Sequence, residues 1–141
     1  MTRTRGLVLL LSVILALGLA SVACSPKPAQ TTTQDAATRA IQAYADPAAQ
    51  MMMQAISDKS ISKYIQDGNA TFKAAVTQAI FDALTAQMEA KYGKFLSIQF
   101  LSTEEQQGYI IVHYQAKFEK GQLGLRMVFD KDHLVAGQFF E

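Results

Sequence analysis

The chain has 141 residues, 13 lysines and arginines against 12 aspartates and glutamates, one cysteine, and a composition that is 50% hydrophobic. This near-neutral balance lacks the basic stripe that phosphate backbones require, which argues against nucleic acid as a partner. A single cysteine excludes an intramolecular disulfide, so the fold rests on its apolar core.

The first element reads as an export signal. Arg3 and Arg5 precede an uncharged stretch from Gly6 to Ala23, and Leu19-Ala20-Ser21-Val22-Ala23 leads directly into Cys24. A basic start, an apolar run and small residues before a cut describe a secretory signal. The cysteine at the cut resembles the lipid-attachment site of bacterial-type lipoproteins, with Ser21 where leucine is usual. Two other readings fit the same residues: an ordinary small-x-small cleavage site that leaves Cys24 a free thiol, and an uncleaved transmembrane helix, since Gly6 to Ala23 reaches the ~18 residues that can cross a bilayer. All three put the folded part outside the cytoplasm. The lipoprotein reading gives a signal peptide over residues 1–23, diacylation of Cys24, anchorage to the cell membrane through that lipid, and 11 basic against 12 acidic residues in the mature chain.

Residues 24–35 then read as the lipidated cysteine and a flexible tether, because Ser25-Pro26-Lys27-Pro28 and the run Thr31-Thr32-Thr33 carry no large apolar group. A single domain is expected over residues 36–141. Ala37, Ile41 and Tyr44 recur at helical spacing, and Asp46-Pro47 offers an N-cap with proline at the first helical position, so a second helix is expected to start there. It would carry Met51, Met52, Met53 and Ile56. A short piece after Ser60 holds Ile61, Tyr64 and Ile65, and Asp67-Gly68-Asn69 ends it. The longest helix is expected from Ala70 to Tyr92, with Phe72, Val76, Ile80, Leu84 and Met88 inward, Ala75, Ala79 and Ala83 beside them, and Gly93 as its C′ residue.

After Gly93 the period becomes two. Leu96, Ile98 and Phe100 alternate in one strand, Ile110 to Phe118 in the next, and Leu123 to Phe129 in a third. A turn at Lys120-Gly121 would pair Glu119 with Gln122 and set Phe118 opposite Leu123. A loop of Lys131-Asp132-His133 would pair Asp130 with Leu134 and set Phe129 opposite Val135, with Gly137 and Phe139 following on the core face. His133 takes the loop position that needs positive φ. Helices followed by an antiparallel meander with one apolar face predict an α+β two-layer domain: N-terminal helices packed on a curved sheet of about four strands.

Lys91-Tyr-Gly-Lys-Phe-Leu-Ser-Ile98, Gly108-Tyr109, Ala116-Lys-Phe-Glu-Lys-Gly121, Leu125-Arg-Met-Val-Phe-Asp-Lys-Asp132 and Val135-Ala-Gly-Gln-Phe-Phe140 resemble an uncharacterised family described only as a domain of unknown function. The resemblance spans about residues 36–141. It implies an extracytoplasmic setting, a cone-shaped fold similar to nuclear transport factor two, and relatives that precede an α/β-hydrolase domain. His133 and Gln138 stand where the family often has glycine and an aliphatic residue, and the family carries over no functional residue.

The resulting expectation is a non-catalytic accessory or binding module whose inner cavity accepts a small apolar ligand or a peptide. Its lining would be Tyr114, Phe72, Val76, Ile80, Met127 and Phe139, with Tyr114 the one polar tip. A cone-fold pocket enzyme and a structural dimer-forming surface protein are the alternatives; a buried carboxylate within hydrogen-bonding reach of Tyr114 would shift the reading to the enzyme. No catalytic residue, cofactor or metal is expected. Met51, Met52 and Met53 point ~100° apart on a helix and cannot converge on a soft metal, and His113 faces the outer sheet surface with no acid expected beside it. Tyr109, Ile111, Val128, Leu134, Ala136 and Phe140 would make that surface apolar enough to be covered by a second copy in a homodimer.

Overall fold

A computed structural model gives the fold and describes residues 30–141, with side chains from residue 34. The signal segment, Cys24 and the residues up to 29 lie outside the described residues. Helices α1 (Gln30–Asp58), α2 (Ile61–Tyr64), α3 (Ala70–Ala75) and α4 (Gln78–Tyr92) precede strands β1 (Phe95–Gln106), β2 (Tyr109–Phe118), β3 (Gly121–Phe129) and β4 (Val135–Phe140). The strands form one curved, open antiparallel sheet in the order β1-β2-β3-β4, the α+β arrangement expected. Among the described residues, no helix is long and apolar enough to cross a membrane.

α1 runs unbroken through Pro47, where a new helix was expected, and it begins at Gln30, inside the stretch read as tether. An interior proline has no N–H to donate and its ring crowds the carbonyl four residues back, here Ala43, at about 3 kcal/mol. Burial offsets this. Ala45, Ala48, Ala49, Met52, Met53, Ala55 and Ile56 are all buried on one face, and each large side chain among them contributes roughly 1.5–3 kcal/mol. The alanines let the helix approach the sheet closely, so α1, rather than the 70–92 segment, packs against β1 and β3 as well as α2 and α4.

The 70–92 segment is two helices. Val76 leaves helical geometry at φ −90°, ψ 93°, and the Thr77 hydroxyl caps α4 by accepting from the Ile80 amide at 3.4 Å. Steps of four residues rotate by ~40° each, so one straight helix would set Phe72 and Met88 about 160° apart. The break resets the phase. Phe72 stays buried, while Phe81, Thr85 and Met88 form the inward face of α4. Ile80 is 56% exposed and Ala79 is exposed, contrary to expectation.

The β2–β3 turn lies one residue earlier than expected. Phe118 pairs with Gly121 and Ala116 with Leu123, a two-residue shift that keeps each side chain on its face. The turn is fixed from outside: Lys120 donates its amide to the Tyr92 carbonyl at 2.9 Å, Glu119 to that of Lys94 at 3.0 Å, and the Glu119 carboxylate accepts from the Lys94 amide at 2.9 Å. Gly93 turns the chain here at φ 75°, and a Cβ on it would lie 2.6 Å from that carboxylate.

Register breaks in β1 leave Leu96 and Leu101 as bulge residues. Phe95 consequently enters the core while Leu96 is 54% exposed. The β3–β4 loop forms as expected, with Phe129 opposite Val135 and His133 at φ 61°. Directly beyond it, Ala136 is an extra residue between Val135 and Gly137, and the alternation flips. Gln138 now faces inward opposite Met127, Phe140 inward opposite Leu125, and Phe139 outward opposite Arg126.

The bulge predicts unequal costs for two adjacent phenylalanines. Half-buried Phe140 packs against the core and Phe139 is 47% exposed. Phe140→Ala should lower the unfolding free energy by roughly 1–3 kcal/mol and Phe139→Ala by about 1 kcal/mol or less. Urea unfolding measures both, and the reverse order would mean an unbulged strand.

Candidate functional site

The interior of the cone is filled. Tyr114 is 1% exposed, and Met52, Met53, Phe81, Val112, Met127 and Phe129 are each at 2% or less. The six residues expected to line an inner cavity do not share one: Tyr114, Met127 and Phe72 are core, Val76 is half-buried, Ile80 is largely exposed, and Phe139 is on the opposite face of the sheet. A gap of about 10 Å³ between Ile56, Thr85 and Gly93 is the size of a water site at most.

Accessible space lies outside the cone. A groove of about 660 Å³ runs between α1 and α2, lined by Asp46, Pro47, Gln50, Met51, Gln54, Lys63 and Gln66. Asp46, Gln50 and Gln54 stand on successive turns of α1 and form one wall. Pro47 and Met51 add apolar surface beside them. Met52 and Met53 point into the core instead, so the three methionines diverge as the helix period requires.

Asp46 joins this groove to the core. One carboxylate oxygen, Oδ1, accepts the Tyr114 hydroxyl at 2.8 Å, and Oδ2 accepts from Gln42 Nε2 at 3.3 Å. Burial, and then the carboxylate at its hydroxyl, push the Tyr114 phenol far above its ordinary range. The phenol is therefore a fixed neutral donor. Sequence reasoning read Asp46 as a helix cap; Tyr114 stands 68 positions further on, and nothing local signals the pair. At the far end of the groove, Asp58 accepts from Gln54 Nε2 at 2.9 Å and from Lys63 Nζ at 3.0 Å. These bonds hold the Asp58 carboxyl below its usual range, Gln54 foremost.

Two further tyrosines, Tyr64 and Tyr44, are also engaged, the first through its hydroxyl and the second through its ring. Tyr64 donates to Oε1 of Gln138, the residue brought inward by the Ala136 bulge, while the Gln138 Nε2 is buried without a partner. With Gly137 and Phe139 expected on the core face, alternation would set Gln138 outward; the bulge turns it inward instead. Tyr44 stacks on His133 with ring centroids 4.1 Å apart.

On the outer sheet face, His113 does have acids beside it, contrary to expectation. Glu104 lies 3.6 Å from Nε2 and Glu141 3.8 Å from Nδ1, because Glu104 is carried across by the Leu101 bulge and Glu141 extends β4 through backbone bonds with Gly124. Both separations exceed hydrogen-bond length, so neither acid orients the ring. Arg126 lies 3.3 Å from Glu141 and its guanidinium 4.7 Å from the Phe139 ring. No group of three His, Cys, Asp or Glu side chains suited to a metal occurs among the described residues.

Residues 49–137 match the model of the protein family of unknown function DUF3887, and the chain belongs to that family. No curated protein matches the chain. Among solved structures it is similar to AclR, a proposed hydroxylase from Streptomyces galilaeus, at 10% identity over 67% of this chain and 75% of that one, with a TM-score of 0.41.

The buried phenols predict alkaline instability. Above pH 10.0, the ordinary tyrosine value, the unfolded chain sheds phenolic protons that Tyr64 and Tyr114 retain when folded, because burial pushes both far up. The folded state then binds more protons, so stability that is complete below that pH falls as pH rises, by up to ~1.4 kcal/mol per unit for each tyrosine. Tyr114→Phe and Tyr64→Phe should each flatten this slope in unfolding curves collected across alkaline pH. An unchanged slope in both would show that the phenols titrate freely.

Proposed function

We propose that this chain is an extracytoplasmic lipoprotein, held at the cell membrane by diacylated Cys24, whose domain is a non-catalytic accessory or binding module acting through the α1–α2 groove. The observation that carries the reading is the contrast between a packed cone interior and an open groove of about 660 Å³ with apolar and polar walls. The groove replaces the inner cavity as the place where a ligand or peptide segment docks. The signal-like start and the sole cysteine at its end support the anchor.

A pocket enzyme has one observation in its favour, the carboxylate at Tyr114. Access weighs against it. Tyr114 is 1% exposed, and its hydroxyl is donated into Asp46 with its pKa raised, the opposite of a phenol readied as a base.

The outer sheet face is proposed to pair with a second copy. Leu101, Tyr109, Leu134 and Phe139 are each at least 40% exposed there or at its rim, with Phe139 taking the place expected of Phe140. The same face carries Arg126 and His113 beside Glu104 and Glu141, so a two-fold partner meets both signs of charge.

Two measurements follow from this reading. The mature N-terminal peptide should begin at Cys24 and carry lipid mass, and Cys24→Ala should leave the chain unprocessed or release it from the membrane fraction. A mature chain starting elsewhere removes the anchor. Sedimentation of the detergent-solubilised chain should give a dimer that Phe139→Lys converts to a folded monomer, whereas a monomeric wild type removes the interface.

A further inference from the structure

The groove's charge indicates what it takes. Asp46 is half-buried, and a carboxylate has roughly four acceptor positions; Tyr114 and Gln42 occupy two. The Tyr114 phenol is neutral and contributes no compensating charge. Among the described residues, no ion pair involves Asp46, and the groove's own cation, Lys63, is committed to Asp58. The groove therefore has one uncompensated negative end and one neutralised end. A purely apolar ligand seated over Asp46 would strip water from the carboxylate and return nothing.

The groove's length and donors narrow the class further. Asp46 to Gln54 covers two turns of α1, about 12 Å, which is the span of three or four residues of extended chain at ~3.3 Å each. Gln50, between the two ends, and Gln66 both line the groove and are exposed. Each carboxamide offers both a donor and an acceptor, the pairing that a peptide backbone repeats along its length. Met51 supplies an adaptable apolar surface for an aliphatic stem.

Resting on the proposal that the groove is the binding surface, we propose that it takes an extended segment of another polypeptide, with an arginine or lysine of that segment on the Asp46 carboxylate. The chain's own tether does not reach. Lys27 precedes α1 by three residues, about 10 Å of extended chain, whereas Asp46 lies sixteen residues into the helix, about 24 Å along its axis.

The test uses the full chain in detergent micelles and two capped pentapeptides, acetyl-Gly-Ala-Arg-Ala-Gly-amide and the same peptide with neutral citrulline for arginine. Amide shifts read by NMR should locate the arginine peptide on residues 46–54 and 63–66, with affinity about tenfold above the citrulline peptide. Asp46→Asn keeps an acceptor for Tyr114 and removes the charge; it should abolish the preference while the rest of the spectrum is unchanged. Gln50→Lys, which places a cation one turn from Asp46, should do the same and serves if the first variant fails to fold. Equal binding of both peptides in the groove leaves the groove reading standing and overturns the cationic assignment. Shifts confined to other surfaces overturn both, and putrescine binding as tightly as the arginine peptide would replace the polypeptide with a small polyamine.

Discussion

Burial of one face of α1 and the hydrogen bond from Tyr114 to Asp46 demand the same rotation of that helix about its axis, and the bond fixes it to a single carboxylate. A phenol at the centre of the sheet cannot be left without an acceptor, and α1 supplies it from the position immediately before its interior proline. With the alanine and methionine face in the core and Asp46 turned to Tyr114, Gln50 and Gln54 are left on the flank facing α2. The groove is thus a consequence of core packing. The same bond keeps Asp46 from capping a helix at Pro47, because a capping role would require its side chain to turn back to its own helix.

Three single-residue insertions shape the sheet. The bulges at Leu96 and Leu101 let a twelve-residue edge strand bend around the helices, and the unpaired leucines end up outside. The bulge at Ala136 exchanges the faces of Phe139 and Phe140 and draws Gln138 into the core, where Tyr64 takes its carbonyl oxygen and its Nε2 is left buried without a partner. An unpaired buried amide nitrogen costs about 1–3 kcal/mol. The outward turn of Phe139 beneath Arg126 sets the character of the exposed face.

The class of fold was legible because the hydrophobic period changes once, at Gly93, and because the loop at Lys131-Asp132-His133 fixes the β3–β4 pairing beside it. What alternation cannot show is an extra residue. In Val135-Ala-Gly-Gln-Phe-Phe140 the adjacent phenylalanines satisfy either face, so the bulge leaves no trace in the pattern. The Thr77 break escaped for a related reason: a row of apolar residues at four-residue steps looks continuous on paper while drifting around the helix. Asp46 was invisible as a site because its partner is on another element and its neighbour Pro47 has a strong local reading as a helix start. Helical order from Gln30, where threonines and prolines suggested a tether, propagates outward from the buried part of α1. Residues this polar would not nucleate a helix alone.

That extension bears on where the groove stands. From Gln30 to Tyr44 the helix rises about 21 Å, and most of residues 34–40 are exposed, so the first turns of α1 project beyond the packed domain. With Cys24 in the membrane, as proposed, a helix of this length acts as a spacer with a defined span, in place of a coil whose ends approach freely. Asp46 begins where the spacer ends and the core begins. Standing along the membrane normal, such a helix would set Asp46 about 24 Å from Gln30, beyond the ~8–10 Å over which salt screens the field of anionic headgroups. In that orientation membrane lipid and groove would not compete for the same cationic side chain, and the proposed anchor and the proposed groove would act independently.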